Sequence, residues 1–188
     1  MTKYILALTL TMIASGCSLT TKPKNDLGFA EVHGLAQFNG CYENCSDTAD
    51  GSALTCLSNK IWPDHFTQEN RPDEIYVESK SNVEIAVTAF KLGNKIKESL
   101  FKEGEHFTFK HGRIELKRET IASGASEPGN PFIGIATGKT ILGIDASGEG
   151  RVEQSTSFVG TGFLIIPVAG SGTDVSKIKR KGPVCSGD

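Results

Sequence analysis

Long apolar runs are missing from this chain. The first one, Tyr4 to Ile13, is about half of the ~20 residues a helix needs to cross a bilayer, so a retained helical span is not expected. An excess of one charge is also missing. The 20 Lys and Arg stand against 22 Asp and Glu, a net charge of −2, and no basic stripe follows a phosphate backbone, which argues against a nucleic-acid binder. Enzyme signatures are lacking too: there is no Gly-x-Ser-x-Gly elbow, no His-Glu-x-x-His, no Walker loop, and no cofactor motif. Internal repeats are absent. His106 and His111 are five residues apart, a spacing that alternates sides of a strand, and His33 and His65 are distant in sequence, so no metal site is expected.

What is present starts at the N-terminus. One cation, Lys3, precedes the apolar run, and Ala14-Ser15-Gly16 then leads into Cys17, the three-part layout of a secretory signal spanning residues 1–16. Cleavage after Gly16 leaves roughly 170 residues, enough for one domain. Of the five cysteines, Cys17 is the odd one. The other four, Cys41, Cys45, Cys56 and Cys185, form an even set that can pair in an oxidising compartment.

Ala14-Ser15-Gly16-Cys17 resembles a bacterial lipobox, with Ala where Leu is commonest three places before the cysteine. The resemblance implies a diacylglycerol thioether and an amide-linked acyl chain on Cys17, and more than one chain anchors stably in a membrane. It implies a Gram-negative envelope, and Ser18 after the cysteine implies the outer membrane, with the periplasmic face favoured. The whole chain resembles the small lipoproteins of that membrane. Membrane lipid is then the first partner, and another envelope protein or an apolar small molecule is the second.

Beyond the lipid site, residues 17–26 read as a polar flexible tether of up to about 30 Å, and residues 27–188 as a β-rich globular domain. Leu27 to Asn44 reads as a first strand or two. Ser52 can cap a short helix carrying Leu54, Leu57 and Ile61, which Pro63 would stop. Two-residue periodicity follows. Ile75 and Val77 mark one strand, and Val83, Ile85, Val87 and Ala89 mark a second with one face in a core. A Gly93-Asn94 turn leads to a return strand with Ile96 and Leu100. Phe107 and Phe109 pair with Ile114 and Leu116 across His111-Gly112.

Arg118 to Pro131 reads as the longest exposed loop. Phe132–Ile135 and Thr140–Ile144 read as strands flanking a Gly138-Lys139 turn; Asp145 to Gly150 then leads to Arg151–Phe158, followed by Phe163–Val168 as a buried strand and a last strand over Val175 to Arg180. About nine or ten short strands and one helix make this mainly β, a single antiparallel barrel or sandwich. The basic cluster Lys177 to Lys181 suits an edge strand that resists further pairing. Cys41 and Cys45 are too close along a strand to bridge comfortably, which favours Cys45 with Cys56 and Cys41 with Cys185.

Two functions fit. One is a lipid-anchored, non-enzymatic protein that binds another envelope component or serves structurally. The other follows from Gly40-Cys41-Tyr42, which is similar to the Gly-x-Trp of the lipocalin family, with Tyr in place of Trp. That similarity implies a barrel binding a small apolar ligand, with Arg180 on the last strand covering the Tyr42 ring. Trp62, the only tryptophan, is the other candidate ligand contact, against a role as a core plug.

Overall fold

The structure, a computed structural model, describes residues 17–47, 54–117, 119–123, 132–162 and 166–185. Among these residues, twelve strands build two sheets that face each other as a sandwich and do not close into a barrel. The first sheet holds seven strands. They are β1 (Cys17–Thr21), β6 (Phe107–Lys110), β7 (Arg113–Leu116), β8 (Glu119–Ser123), β9 (Phe132–Ile144), β10 (Gly150–Gly162) and β11 (Ile166–Ile178). Their order is β1-β11-β10-β9-β7-β6, with β8 also pairing β9. The second sheet runs β12-β2-β3-β4-β5, from β12 (Arg180–Gly182), β2 (Gly40–Glu43), β3 (Glu74–Ser79), β4 (Glu84–Lys91) and β5 (Asn94–Lys102). Between Ile178 and Arg180 the chain crosses from one sheet to the other, and the Glu43 amide donates to the Lys179 carbonyl at that corner.

The core lies between the sheets. Ile75 and Ile178 are fully buried there, with Val152, Leu35, Phe107 and Ile114 around them. Every residue from Ile85 to Phe90 is buried, so β4 is covered on both faces rather than one. Its outer face is closed by the Cys41–Cys185 disulfide, which packs with Phe90 and Tyr76. A second disulfide joins Cys45 to Cys56, so the pairs are those the spacing favoured.

Turns fall where local chemistry allows them. Lys91 pairs with Asn94, so the β4–β5 turn is Leu92-Gly93, one residue earlier than expected, with φ of 50° and 76°. Two-residue hairpin turns of this kind need positive φ at both positions, which Gly93 supplies without strain. Leu92 is held there by its amide donating to Asp73 Oδ2 at 2.8 Å. The His111-Gly112 turn between β6 and β7 is where the sequence places it.

Several expectations are corrected. Gly138-Lys139 is no turn: β9 runs straight through it, with Gly138 opposite Thr156 and Lys139 opposite Ser155. The β9–β10 reversal lies at Asp145–Glu149, in the connection the sequence places before Arg151. There the Asp145 carboxylate accepts from the Ser147 amide at 2.8 Å, the Ser147 hydroxyl at 2.6 Å and the Glu149 amide at 3.0 Å. A side chain that satisfies three donors turns the backbone more firmly than a glycine that merely permits it.

The segment read as a tether begins with β1, which pairs in parallel with Gly170–Asp174. Part of the expected long loop is β8, paired with Gly134–Gly138; residues 118 and 124–131 lie outside the described residues. In the run read as a buried strand, Ile166 and Pro167 are exposed, and residues 163–165 lie outside the described residues. Leu27 to Asn44 gives one strand, β2, after a 3-10 turn at Leu35–Phe38. The helix α1 spans Leu57–Ile61 behind Cys56, leaving Leu54 off it and exposed; Ser52 lies outside the described residues. Val83 is exposed ahead of β4, and on β5 Ile96 and Leu100 face solvent while Phe101 turns inward.

A candidate ligand cleft between the sheets

Alternation along the strands sends one row of side chains from each sheet toward the other, and these rows leave a cleft of about 1040 Å³ between them. Ile114, Leu142, Val152 and Ile178 form the wall on the seven-stranded sheet. Tyr42, Val77, Ile85, Val87 and Phe101 form the wall on the five-stranded sheet, and Leu57, Ile61 and Phe66 close a third side. Polar side chains also line the cleft: Lys60, Asp64, Glu105, His106 and Lys117.

The third side is short and would not hold its shape alone, since one helical turn and a half is below the length at which helices persist. It is bracketed instead. Buried Asn44 accepts from the Ser58 amide through Oδ1 at 2.8 Å and donates to the Pro72 carbonyl through Nδ2 at 2.8 Å. Its own carbonyl accepts from the Leu57 amide at 2.7 Å. The Cys45–Cys56 disulfide and the Ser176 hydroxyl, 2.9 Å from Thr55 Oγ1, complete the bracket.

Of the residues singled out from sequence, Tyr42 lines the cleft. Its hydroxyl donates to the Phe38 carbonyl at 2.8 Å, and burial pushes its pKa above the usual 10.0, against the opposing pull of nearby Arg180. Arg180, opposite Tyr42 in the β12–β2 ladder, places its guanidinium 5.7 Å from the centre of that ring. It is fastened by its amide donating to Glu149 and its side chain donating to the Asn39 carbonyl. Trp62 does not line the cleft. It is buried behind it, donating to Ser99 Oγ at 2.9 Å and packing edge-on to Phe66 and tilted against Phe101, both of which do line it.

The four body cysteines are consumed in disulfides, which hold the walls rather than the contents. Cys41, Cys185 and Glu74 lie close together, but both sulfurs are joined to each other and Glu74 is paired with Lys181, so that cluster is not a metal centre. Cys17 is far from this chemistry in the fold, at the start of β1 opposite Gly170. The residues missed from sequence are Val77, Val87, Phe101, Leu142 and Val152. Each reads as an ordinary inward strand position, and nothing in a strand pattern reveals whether the facing sheet touches it.

No family model, curated protein or solved structure matches this chain.

Proposed function

We propose that this chain is a non-enzymatic protein anchored through acylated Cys17 to the outer membrane of a Gram-negative envelope, with an inter-sheet cleft that binds an apolar small molecule. The observation that carries the ligand is the cleft itself. Ligand sites are mostly apolar concavities of about 300–1,000 Å³ with a few polar groups, and this one is at the upper end with aliphatic walls on two sides. A molecule with a long hydrocarbon body and one polar end fits this lining, its tail against the partly exposed Val77, Phe101 and Leu142 and its head among Lys60, Asp64, Glu105, His106 and Lys117. The anchor rests on the lipobox-like residues and on the odd cysteine. A second reading, docking to another envelope protein, draws on Ile133, Ile135 and Val159, which are exposed together at the far end of β9 and β10.

The ligand is tested by organic extraction and native mass spectrometry of the protein purified from an envelope fraction, with a pyrene-labelled fatty acid as probe. One bound equivalent, reduced at least tenfold by Leu142→Trp, supports the cleft. No co-purifying molecule and no probe uptake by the folded protein removes it.

A further inference from the structure

The ribbon β9-β10-β11 is far longer than the core it serves. Its inner ends carry Ile144, Val152 and Ile178 into the sandwich, and its outer ends run on past the second sheet. Polarity changes along that outer run in register across the strands. Lys139, Glu153 and Asp174 close off the charged body, with Lys22 following β1 and Glu119 opening β8. Beyond them Ser155 to Thr173 carries no charge, nor do residues 132–138 or 17–21.

The first part of this neutral region is rich in hydroxyls: Ser155, Thr156 and Ser157 on β10, Ser171 and Thr173 on β11, Thr137 on β9, Ser18 and Thr20 on β1. The next part of β9, β10 and β11 is apolar apart from Thr161: Ile133, Ile135, Phe158, Val159, Ile166, Pro167 and Val168. The switch falls at one level of the ladder, where Ala136, Phe158 and Gly170 are aligned. Cys17 is aligned there too. Because β1 is parallel to β11, the chain runs from Cys17 at that level back toward the body.

We infer that the outer end of this ribbon is a second membrane contact, inserted into the lipid leaflet beside the acylated Cys17. This rests on the anchoring reading above. The hydroxyl band then sits among the head groups and the apolar end among the upper acyl chains. Ile166 lies four steps beyond Gly170, about 14 Å at ~3.4 Å per residue, or about 10 Å at the ~45° tilt of membrane strands. One leaflet offers about 15 Å of hydrocarbon.

Unpaired backbone is the usual obstacle to burying a sheet end in lipid. Here β8 covers the β9 edge from Gly134 to Gly138 and β1 covers the β11 edge from Gly170. The edge between those limits on β11 contains Pro167, which has no amide hydrogen to leave unpaired. A protein partner is the weaker occupant. Protein interfaces are ringed by polar groups and carry about one hydrogen bond per 100–200 Å², whereas β9, β10 and β11 carry no charged residue beyond Lys139, Glu153 and Asp174.

The test uses the full chain, produced in a Gram-negative host with its own N-terminal modification and reconstituted into phosphatidylcholine vesicles containing chain-brominated lipid. Tryptophan is placed on the ribbon by Val159→Trp or on the body by Ile96→Trp, both at exposed positions, with wild type giving the Trp62 background. The expected result is loss of at least half of the added emission in the Val159→Trp protein and no loss in the Ile96→Trp protein. Vesicle-bound protein in which neither is quenched overturns the insertion and leaves the anchor standing. Quenching of the Val159→Trp protein when its mass shows no acyl chain retains the insertion and overturns the anchor. Failure to bind vesicles overturns both, and capture of another envelope protein at this end with no quenching assigns the surface to that protein.

Discussion

Val152 and Val159 lie on the same strand, seven residues apart, and their surroundings have nothing in common. Val152 is 2 % exposed and Val159 is 67 % exposed. Both obey β-propensity and both pair on two sides, with Leu142 and Ser176 in one case and Ile135 and Ala169 in the other. The difference has two parts: the odd spacing turns Val159 to the opposite face of the strand from Val152, and the second sheet covers only the inner half of the ribbon. Pairing makes a strand; only a facing layer makes a core.

The body is closed by a disulfide between residues 144 apart in sequence, and removing it with Cys41→Ala and Cys185→Ala should cost about 4–5 kcal/mol, read from the denaturant midpoint under oxidising conditions. A loss below about 1 kcal/mol would mean the outer face of the second sheet is not tied by that bond. Next, two isoleucines at opposite ends of β11 separate body from ribbon end. Ile178→Ala should cost about 3–4 kcal/mol and Ile166→Ala no more than about 0.5, both by chemical denaturation in water. Equal losses would break the distinction.

The Asp145 turn, where the ribbon enters the core, gives a pH-dependent middle case. Burial would raise this carboxyl, but hydrogen bonds from Ser147, the Glu149 amide and Lys177 outweigh it and hold the pKa below the usual 3.8. A depressed folded value means the stabilisation is present above the ordinary carboxylate range and is lost as pH falls through the folded pKa. Asp145→Asn should therefore cost about 2 kcal/mol at neutral pH, with the gap to wild type closing below about pH 4 in stability curves. A gap unchanged at about pH 3 would show that the carboxylate charge is not what holds the turn. Tyr42→Phe in the cleft wall leaves the Phe38 carbonyl without its donor and should cost about 1 kcal/mol by the same measurement.

The fold class was legible because alternation over Ile85, Val87 and Ala89, and over Phe107, Phe109, Ile114 and Leu116, is a direct consequence of strand geometry. The disulfide pairs were legible from parity and spacing. What misled was glycine. Gly138-Lys139 has turn composition, yet a glycine in the middle of a thirteen-residue strand permits a turn without demanding one, whereas the Asp145 carboxylate demands the one that follows. The strand β1 was hidden because its pairing uses backbone groups, to which Ser18, Thr20 and Thr21 give no sign. For the cleft, the inward residues could be named but the gap between them could not, since spacing along a strand carries no information about distance to another layer. Trp62 fits the same pattern: its size marked it as important, and only its hydroxyl partner, Ser99, shows that it props the wall from behind.

Hydrogen exchange along β10, with and without phosphatidylcholine vesicles, tests most directly that one ribbon serves two surroundings. In water the amides of residues 150–154 should exchange slowly and those of residues 158–162 quickly, because few buried contacts oppose local opening at the outer end. On vesicles the outer amides should slow by at least about tenfold while the inner ones stay as they were. Outer amides that exchange at the same rate with and without lipid would contradict it.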